Sequence, residues 1–201
     1  MEAAQIYVYE VSMRKIKTLL VSLLFVAASS FSAKSPAQVG TVDWQARLKQ
    51  QLPLLGHRNW ILIVDSAYPL QVSPGIETIE TGVGQLAVTS TVLSELDRSI
   101  HVTPVVYLDA ELPHVPEQNF VGLNSYREDL KRTLKGRTIR SLPHEQILGK
   151  IGETGKEFKI LVLKTTMAMP YTSVFLQLDC KYWSEEDEQK LRQSMKASSP
   201  Q

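Results

Sequence analysis

The sequence predicts an α/β protein, a three-layer sandwich with a mostly parallel sheet. Short apolar runs of strand length alternate along the chain with segments in which apolar residues recur at helical spacing. The run 60–64 is apolar throughout, which is typical of a strand buried on both faces. The composition, 43% hydrophobic and 21% charged residues over 201 positions, is that of a chain with one globular core. A collagen-like chain, a disulfide scaffold and a multi-domain machine are excluded.

Each element follows from the local pattern. After a polar segment over 34–41, helical spacing predicts a helix over 42–52, which Pro53 and Gly56 bring to an end. The rest of the pattern predicts helices over 85–96, 125–134 and 145–151, and strands over 60–64, 102–108, 137–142, 158–163 and 174–178. The segment 71–84 has no readable pattern and is interpreted as a loop with a turn at its end. A solvated, fraying helix is predicted from Ser184 onward.

The N-terminal residues 1–33 are interpreted as a secretory signal peptide. Arg14, Lys15 and Lys17 precede an apolar stretch over 19–28, which is shorter than the ~20 residues of a membrane-spanning helix. No cysteine lies near the small residues that offer cleavage sites, which excludes lipid attachment there. We expect a linker over 34–41, one domain over 42–183 and a charged tail over 184–201. The product should be secreted or periplasmic, without stable membrane insertion, and a retained anchor stays open as the alternative.

Charge and cysteine content exclude several function classes. Lys plus Arg total 22 against 21 Asp plus Glu, so no excess of positive charge favours nucleic acid as a partner. Residues 1–33 hold three basic and two acidic side chains, and their removal leaves 19 of each. The lone Cys180 permits no intrachain disulfide, cysteine zinc cluster or CxxC redox pair. We therefore expect a neutral mature protein that does not bind nucleic acid.

Two polar residues flank the predicted strand at 60–64. In open α/β sheets, ligands bind beyond the carboxyl ends of the strands, and Asp65 lies directly at such an end. A buried and unpaired carboxylate is costly, so Asp65 must reach solvent, a partner or a ligand. A turn-forming role for Asp65 is an equal alternative. His57 lies in a loop eight residues earlier, and its position alone favours a structural or surface role.

Three segments carry a resemblance to a known family. Residues 55–69, Leu-Gly-His-Arg-Asn-Trp-Ile-Leu-Ile-Val-Asp-Ser-Ala-Tyr-Pro, are similar to a signature in which a Gly-His pair precedes an apolar strand and an Asp-Ala-x-x-Pro turn. His144-Glu-Gln-Ile resembles a His-Glu-Gln-Phe segment, and Pro170-Tyr171-Thr-Ser173 resembles a Pro-Tyr-x-Asn run. The segments occur in the order known from the ribose pyranase and fucose mutarotase family (RbsD/FucU). They span most of the chain after residue 33.

The resemblance implies an RbsD-like fold and an isomerase that interconverts the cyclic forms of a free monosaccharide, ribose-like or fucose-like, without a cofactor or a metal. It implies His57 as a proton donor. It also implies that Asp65, His144 and Tyr171 contact sugar hydroxyls. Because members form ring-shaped oligomers, a homo-oligomer with its pocket near a subunit interface is expected.

Three positions depart from the family pattern. Ser173 is assigned to the substrate-binding set but replaces an Asn, which removes a bidentate hydrogen-bonding group. Asn59 replaces a common Asp beside the proposed acid, and Ser66 replaces Ala. These changes bear on sugar specificity and on activity.

The chemistry of ring opening supports this set of residues independently. A proton must reach the ring oxygen while another leaves the anomeric hydroxyl. An imidazole titrates at about 6.5 and serves either step, and positioned acid–base catalysis contributes roughly 10² to 10⁴-fold. His57 and His144 are therefore predicted to be catalytic. Asp65 offers acceptors for sugar hydroxyls, and Tyr171 offers a phenol and an apolar ring face.

The spacing of His57 and Asp65 has a geometric consequence. If residues 60–65 form a straight strand at ~3.3 Å per residue, its ends lie roughly 17 Å apart, which is too far for His57 and Asp65 of one chain to contact one sugar ring. Either the loop at 56–57 folds back, or the pocket is shared between subunits.

Other chemistries have weaker support in the sequence. There is no Gly-x-Ser-x-Gly nucleophile elbow, and no motif surrounds Cys180. A metal site is conceivable, but no pair of histidines has the His-x-x-x-His spacing of a zinc enzyme; its donors would be His57, Asp65, His101, His114 and His144. Two alternatives stay open: a non-catalytic monosaccharide-binding protein that retains the pocket, and a structural oligomer.

Overall fold

The computed structural model describes residues 43–197, which belong to one compact unit. The predicted signal peptide, the linker and the end of the tail lie outside these residues. The strands are β1 (Trp60–Val64), β2 (Ile76–Glu80), β3 (Val102–Asp109), β4 (Thr138–Leu142), β5 (Ile160–Lys164) and β6 (Val174–Cys180). The helices are α1 (Trp44–Gln51), α2 (Gln85–Arg98), α3 (Leu123–Thr133), α4 (His144–Glu157) and α5 (Glu185–Ala197). Within the described residues, no helix is long and apolar enough to cross a membrane.

The six strands form one sheet in the order β2-β5-β1-β6-β3-β4. Neighbouring strands are parallel except at β6, which runs antiparallel to both β1 and β3. The predicted α/β class with a mostly parallel sheet is therefore confirmed. As predicted, β1 is buried along its whole length, because it lies between two strands and is covered on both faces.

Helices cover both faces of the sheet and complete the three predicted layers. Ile61 and Ile63 of β1 pack in one cluster with buried residues of α1, α2 and α3. Trp60, Leu62 and Val64 point to the other face and pack with Ile147 and Ile151 of α4. The alternation follows from the two-residue period of a strand, which sends successive side chains to opposite faces.

The expectation of a loop over 71–84 was wrong, because this segment contains β2, which pairs in parallel with β5. Only Ile79 of the strand is buried, since β2 lies at the edge of the sheet and its sequence shows no apolar run. Gly75 introduces the strand, and a Cβ at this position would lie 2.6 Å from the Gly155 carbonyl oxygen of α4. The helix predicted over 145–151 also extends further, to Glu157.

Candidate functional site

Four of the five predicted site residues lie along one edge of the sheet. Asp65 follows the carboxyl end of β1, and His144 is the first residue of α4, two positions after the last residue of β4. Because β6 is antiparallel, its beginning lies at this same edge, and Tyr171 and Ser173 precede it. The segment between β5 and β6 crosses the end of β1, where the Ser66 amide donates to the Met167 carbonyl at 2.7 Å. The four residues therefore share an edge, here called the site edge.

Ser173 and Asp65 form a hydrogen-bonded pair. The Ser173 hydroxyl donates to Asp65 Oδ2 at 3.0 Å and accepts from the Asp65 amide at 3.3 Å. The other carboxylate oxygen, Oδ1, accepts from the Ala67 amide at 2.9 Å. Ser173 is buried, whereas Asp65 is half-buried. The Ser173 hydroxyl thus orients the Asp65 carboxylate.

Tyr171 has an unusual backbone conformation. Its φ is 58°, in the left-handed region that costs a residue with a Cβ roughly 1–2 kcal/mol. The next residue, Thr172, is fully buried, and its carbonyl accepts from the Tyr126 hydroxyl at 2.6 Å and from Gln85 Nε2 at 3.1 Å. These buried bonds hold the strained backbone in place. Tyr171 remains 37% exposed, and its ring meets the His144 ring edge-on, with centroids 5.7 Å apart.

Two carboxylates at the carboxyl end of β3 contact His144, one at its backbone and one at its ring. Its backbone amide donates to both carboxylate oxygens of Glu111, each at 3.1 Å. Glu111 thereby caps α4, since Pro143 at the N-cap supplies no side-chain hydrogen bond. The ring nitrogen Nδ1 lies 3.0 Å from Asp109 Oδ1, and the Asp109 side chain is fully buried whereas that of His144 is 27% exposed. Backbone and ring are therefore both fixed.

Burial controls the electrostatics beneath the site edge. It raises the pKa of Asp109; the contact with His144 opposes this effect, and the charges of Glu111 and Asp65 reinforce it. Burial also raises the pKa of Tyr68 to about 12, and the charges of Asp65 and Asp109 add to this shift. The carboxylates of this edge are thus close enough to influence one another. They offer several oxygen acceptors to a ligand that carries hydroxyl groups.

His57 lies at the opposite edge of the sheet, before β1. Its loop is a tight turn in which Asn59 Oδ1 accepts from the Gly56 amide at 2.7 Å. The Arg58 amide donates to the Leu178 carbonyl, near the carboxyl end of β6, at 2.9 Å. The His57 side chain is exposed. The loop therefore does not fold back along β1, and a single chain does not bring His57 together with the other four residues.

The turn also accounts for Asn59 in place of the Asp of the family pattern. Besides accepting from Gly56, its amide Nδ2 donates to the Lys159 carbonyl at 3.0 Å. A carboxylate has no hydrogen to donate at that position. The amide ties the turn to the residue before β5.

Asp109 and Glu111 were not among the predicted site residues, although the sequence contains a signal for them. The rule that selected Asp65, a carboxylate at the end of an apolar strand, applies equally to Asp109, the last residue of β3, and to Glu111 two residues later. Among residues 43–197, no group of three or more His, Cys, Asp or Glu residues is placed to hold a metal ion.

No family model matches the sequence, and no curated protein matches it. Solved structures are similar in backbone. RbsD of Bacillus subtilis in complex with D-ribose is 19% identical, with 67% of this chain and 92% of that chain covered and a TM-score of 0.49. The fucose mutarotase of Streptococcus pneumoniae in complex with L-fucose is 18% identical, with 66% and 91% covered and a TM-score of 0.44. FucU from Bifidobacterium longum is 19% identical, with 67% and 94% covered and a TM-score of 0.44.

Those identities stay below one residue in five, and the three TM-scores do not reach 0.5. Function is therefore inferred from the side chains of this chain alone.

Proposed function

We propose that the protein is a monosaccharide mutarotase or pyranase, an isomerase that interconverts the cyclic forms of a ribose-like or fucose-like sugar by acid–base ring opening without a cofactor. The observation that carries the proposal is the grouping of His144, Tyr171 and Asp65 at the site edge, with the His144 ring held by a buried carboxylate. This grouping combines a group that gives and takes protons, an aromatic face and an acceptor for hydroxyl groups.

Each residue has a distinct part in the proposed reaction. His144 uses Nδ1 to contact Asp109, and its Nε2 has no hydrogen-bond partner among residues 43–197, which leaves Nε2 to exchange a proton with the sugar. Asp65 accepts hydrogen bonds from sugar hydroxyls, and Ser173 orients Asp65. Tyr171 provides a phenol and covers one face of the sugar ring.

The second proton-transfer group of the proposal is His57 of a second copy. A head-to-tail contact would place the His57 edge of one copy on the site edge of the next, and a contact of this kind forms a ring when the rotation between copies closes. Large apolar side chains are exposed at both edges: Leu54 (76%) and Ile100 (86%) precede β1 and β3, and Val121 (92%) follows β3. Burying these side chains would stabilise the contact.

The catalytic proposal is tested by exchange NMR, which measures interconversion of the ring forms of D-ribose and L-fucose at equilibrium. We expect wild-type protein to accelerate exchange of at least one sugar. His144→Gln and His57→Gln should each slow it by on the order of 10²-fold. The matched control is His114→Gln, which removes an exposed histidine outside the proposed site. Equal rates for His144→Gln and the control would refute the role of His144.

The shared pocket has a sharper test. If two copies build one pocket, mixing the inactive His57→Gln and His144→Gln variants after dissociation restores activity in about a quarter of the pockets, because a random contact then pairs two intact residues. A pocket built within one chain gives no recovery. An active monomer in size-exclusion chromatography would also refute the shared pocket.

The arrangement of Ser173 favours one alternative, a non-catalytic monosaccharide-binding protein. Its hydroxyl is already bonded to Asp65, so this position offers no amide fork to a sugar. Saturation-transfer NMR that detects sugar binding, combined with unchanged exchange rates for the two sugars, would establish this alternative. It would exclude the isomerase.

We further propose that residues 1–33 direct export and are removed. The basic residues followed by a short apolar stretch and small residues support this proposal. Mass spectrometry of the protein recovered from the periplasm or medium of an expressing bacterium should show a chain that starts near residue 34. A chain retained in the cytoplasm with an intact N-terminus would contradict it.

A further inference from the structure

The contact between Asp109 and His144 includes a fully buried carboxylate, which is unusual for a contact with a purely structural role. The Asp109 side chain is fully buried at the end of β3, and Oδ1 lies 3.0 Å from His144 Nδ1. Its second oxygen, Oδ2, is buried without a hydrogen-bond partner among residues 43–197. A buried carboxylate with an unpaired oxygen is costly, and an amide or an apolar side chain would fill this space at lower cost. The carboxylate is therefore better explained by its effect on His144.

We infer that Asp109 is a positioning residue that holds His144 in the tautomer with hydrogen on Nδ1, so that Nε2 is the atom that exchanges protons with the ligand. In its ionised form Asp109 only accepts hydrogen bonds, so the hydrogen between Oδ1 and Nδ1 then belongs to the ring, whereas a neutral Asp109 carboxyl would donate to Nδ1 and favour the other tautomer. Glu111 holds the backbone amide of the same residue. The two carboxylates of one short segment fix both the position of the ring and its tautomer.

The consequence for ring opening rests on the proposed function. Neutral Nε2 takes the proton of the anomeric hydroxyl while a second acid protonates the ring oxygen. The bond between the anomeric carbon and the ring oxygen breaks, and the anomeric carbon becomes a carbonyl. The ring of His144 is then positively charged beside Asp109, whose negative charge stabilises it. Closure on the other face returns the proton of Nε2 to the carbonyl oxygen, and the attacking hydroxyl group gives its proton back to the second acid, so the protein ends unchanged.

The tautomer is measured in the full-length protein without any ligand, so this test does not depend on activity. Long-range ¹H–¹⁵N spectra distinguish a ring nitrogen that carries hydrogen from one with a free lone pair. Wild type should show hydrogen on Nδ1 of His144, and Asp109→Asn should increase the Nε2–H form, because the amide has its own hydrogens to donate to Nδ1. The control, Glu145→Gln, removes an exposed carboxylate next to His144 and should leave the spectrum unchanged. Hydrogen on Nε2 in the wild type would overturn the inference.

A double-mutant cycle tests whether Asp109 acts through His144. We expect Asp109→Asn to lower kcat by on the order of 10²-fold with little change in KM. In the His144→Gln background, the same substitution should have no further effect on kcat. Losses that multiply would overturn the inference, as would an unchanged kcat in a variant with altered tautomer. If the wild type accelerates neither sugar, the proposed function fails, whereas the spectra still decide whether Asp109 sets the tautomer.

Discussion

Gln85, the first residue of α2, links the core to the site edge and should be a sensitive position. Its side chain is 1% exposed and lies in a network of three hydrogen bonds. Nε2 donates to the carbonyls of Ile63 at 2.7 Å and Thr172 at 3.1 Å, and Oε1 accepts from the Thr165 hydroxyl at 2.6 Å. Gln85→Met retains a side chain of similar length and removes all three bonds.

The expected cost follows from these partners. A neutral hydrogen bond contributes about 1 kcal/mol net, and a buried partner left without any bond adds a further penalty. Two of the partners keep another bond, because the Thr172 carbonyl still accepts from Tyr126 and the Thr165 hydroxyl still reaches the Val64 carbonyl. We therefore expect Gln85→Met to lower the free energy of unfolding by about 2–3 kcal/mol.

Urea denaturation measures this change as a lower midpoint with an unchanged m-value. The matched control is Thr89→Val one turn further along α2, where a fully buried hydroxyl donates only to the Gln85 carbonyl of its own helix. The control should lose less than 1 kcal/mol, since its partner belongs to the same helix. If Gln85→Met loses no more than Thr89→Val, the network does not support the end of β1, and the reasoning is wrong.

Two further predictions concern packing and pH. Gly75→Ala should destabilise the protein by about 1–3 kcal/mol, because its Cβ would lie 2.6 Å and 2.7 Å from the backbone oxygens of Gly155 and Phe158. Gly149→Ala in α4 meets no atom within 4 Å and should instead stabilise by about 0.5–1 kcal/mol, so equal urea midpoints for these two variants would contradict the close approach. The pKa of Tyr68 is about 12 in the folded protein, whereas an unfolded tyrosine titrates near about 10. As pH rises through this interval the unfolded state loses its proton first, so stability falls by roughly 2–3 kcal/mol. Urea midpoints between pH ~10 and ~12 should fall less for Tyr68→Phe, and an equal fall in both proteins would refute the assignment.

The sequence predicted most elements of the fold because their patterns are local. The apolar run of β1 and the helical spacing of α2 placed these elements, with β1 at its observed bounds. The pattern failed at β2, where one buried residue of five leaves no apolar run to detect. The helix predicted over 145–151 was also too short, because the glycines at 149, 152 and 155 weaken the helical pattern. The helix nevertheless continues to Glu157 and packs on the sheet.

The candidate site was predictable as a set of residue types and not as a constellation. Asp65, His144, Tyr171 and Ser173 were named from motifs, and the structure places them along one edge. The roles of Asp109 and Glu111 depend on β3 ending beside the start of α4, which involves residues 35 and 33 positions apart. No local pattern specifies such a contact.

By itself, the sequence determined the α/β class, the burial of β1 and the presence of polar residues at strand ends. These features depend on hydrophobic periodicity and on residue types within short windows of the chain. Only the tertiary structure decided that β6 is antiparallel, which brings Tyr171 and Ser173 to the end of β1. It also placed His57 at the opposite edge, where the proposed pocket needs a second copy. Strand direction and order depend on contacts between distant segments. Because the entropic cost of closing a loop grows only slowly with its length, several strand pairings have similar free energies until the core is packed.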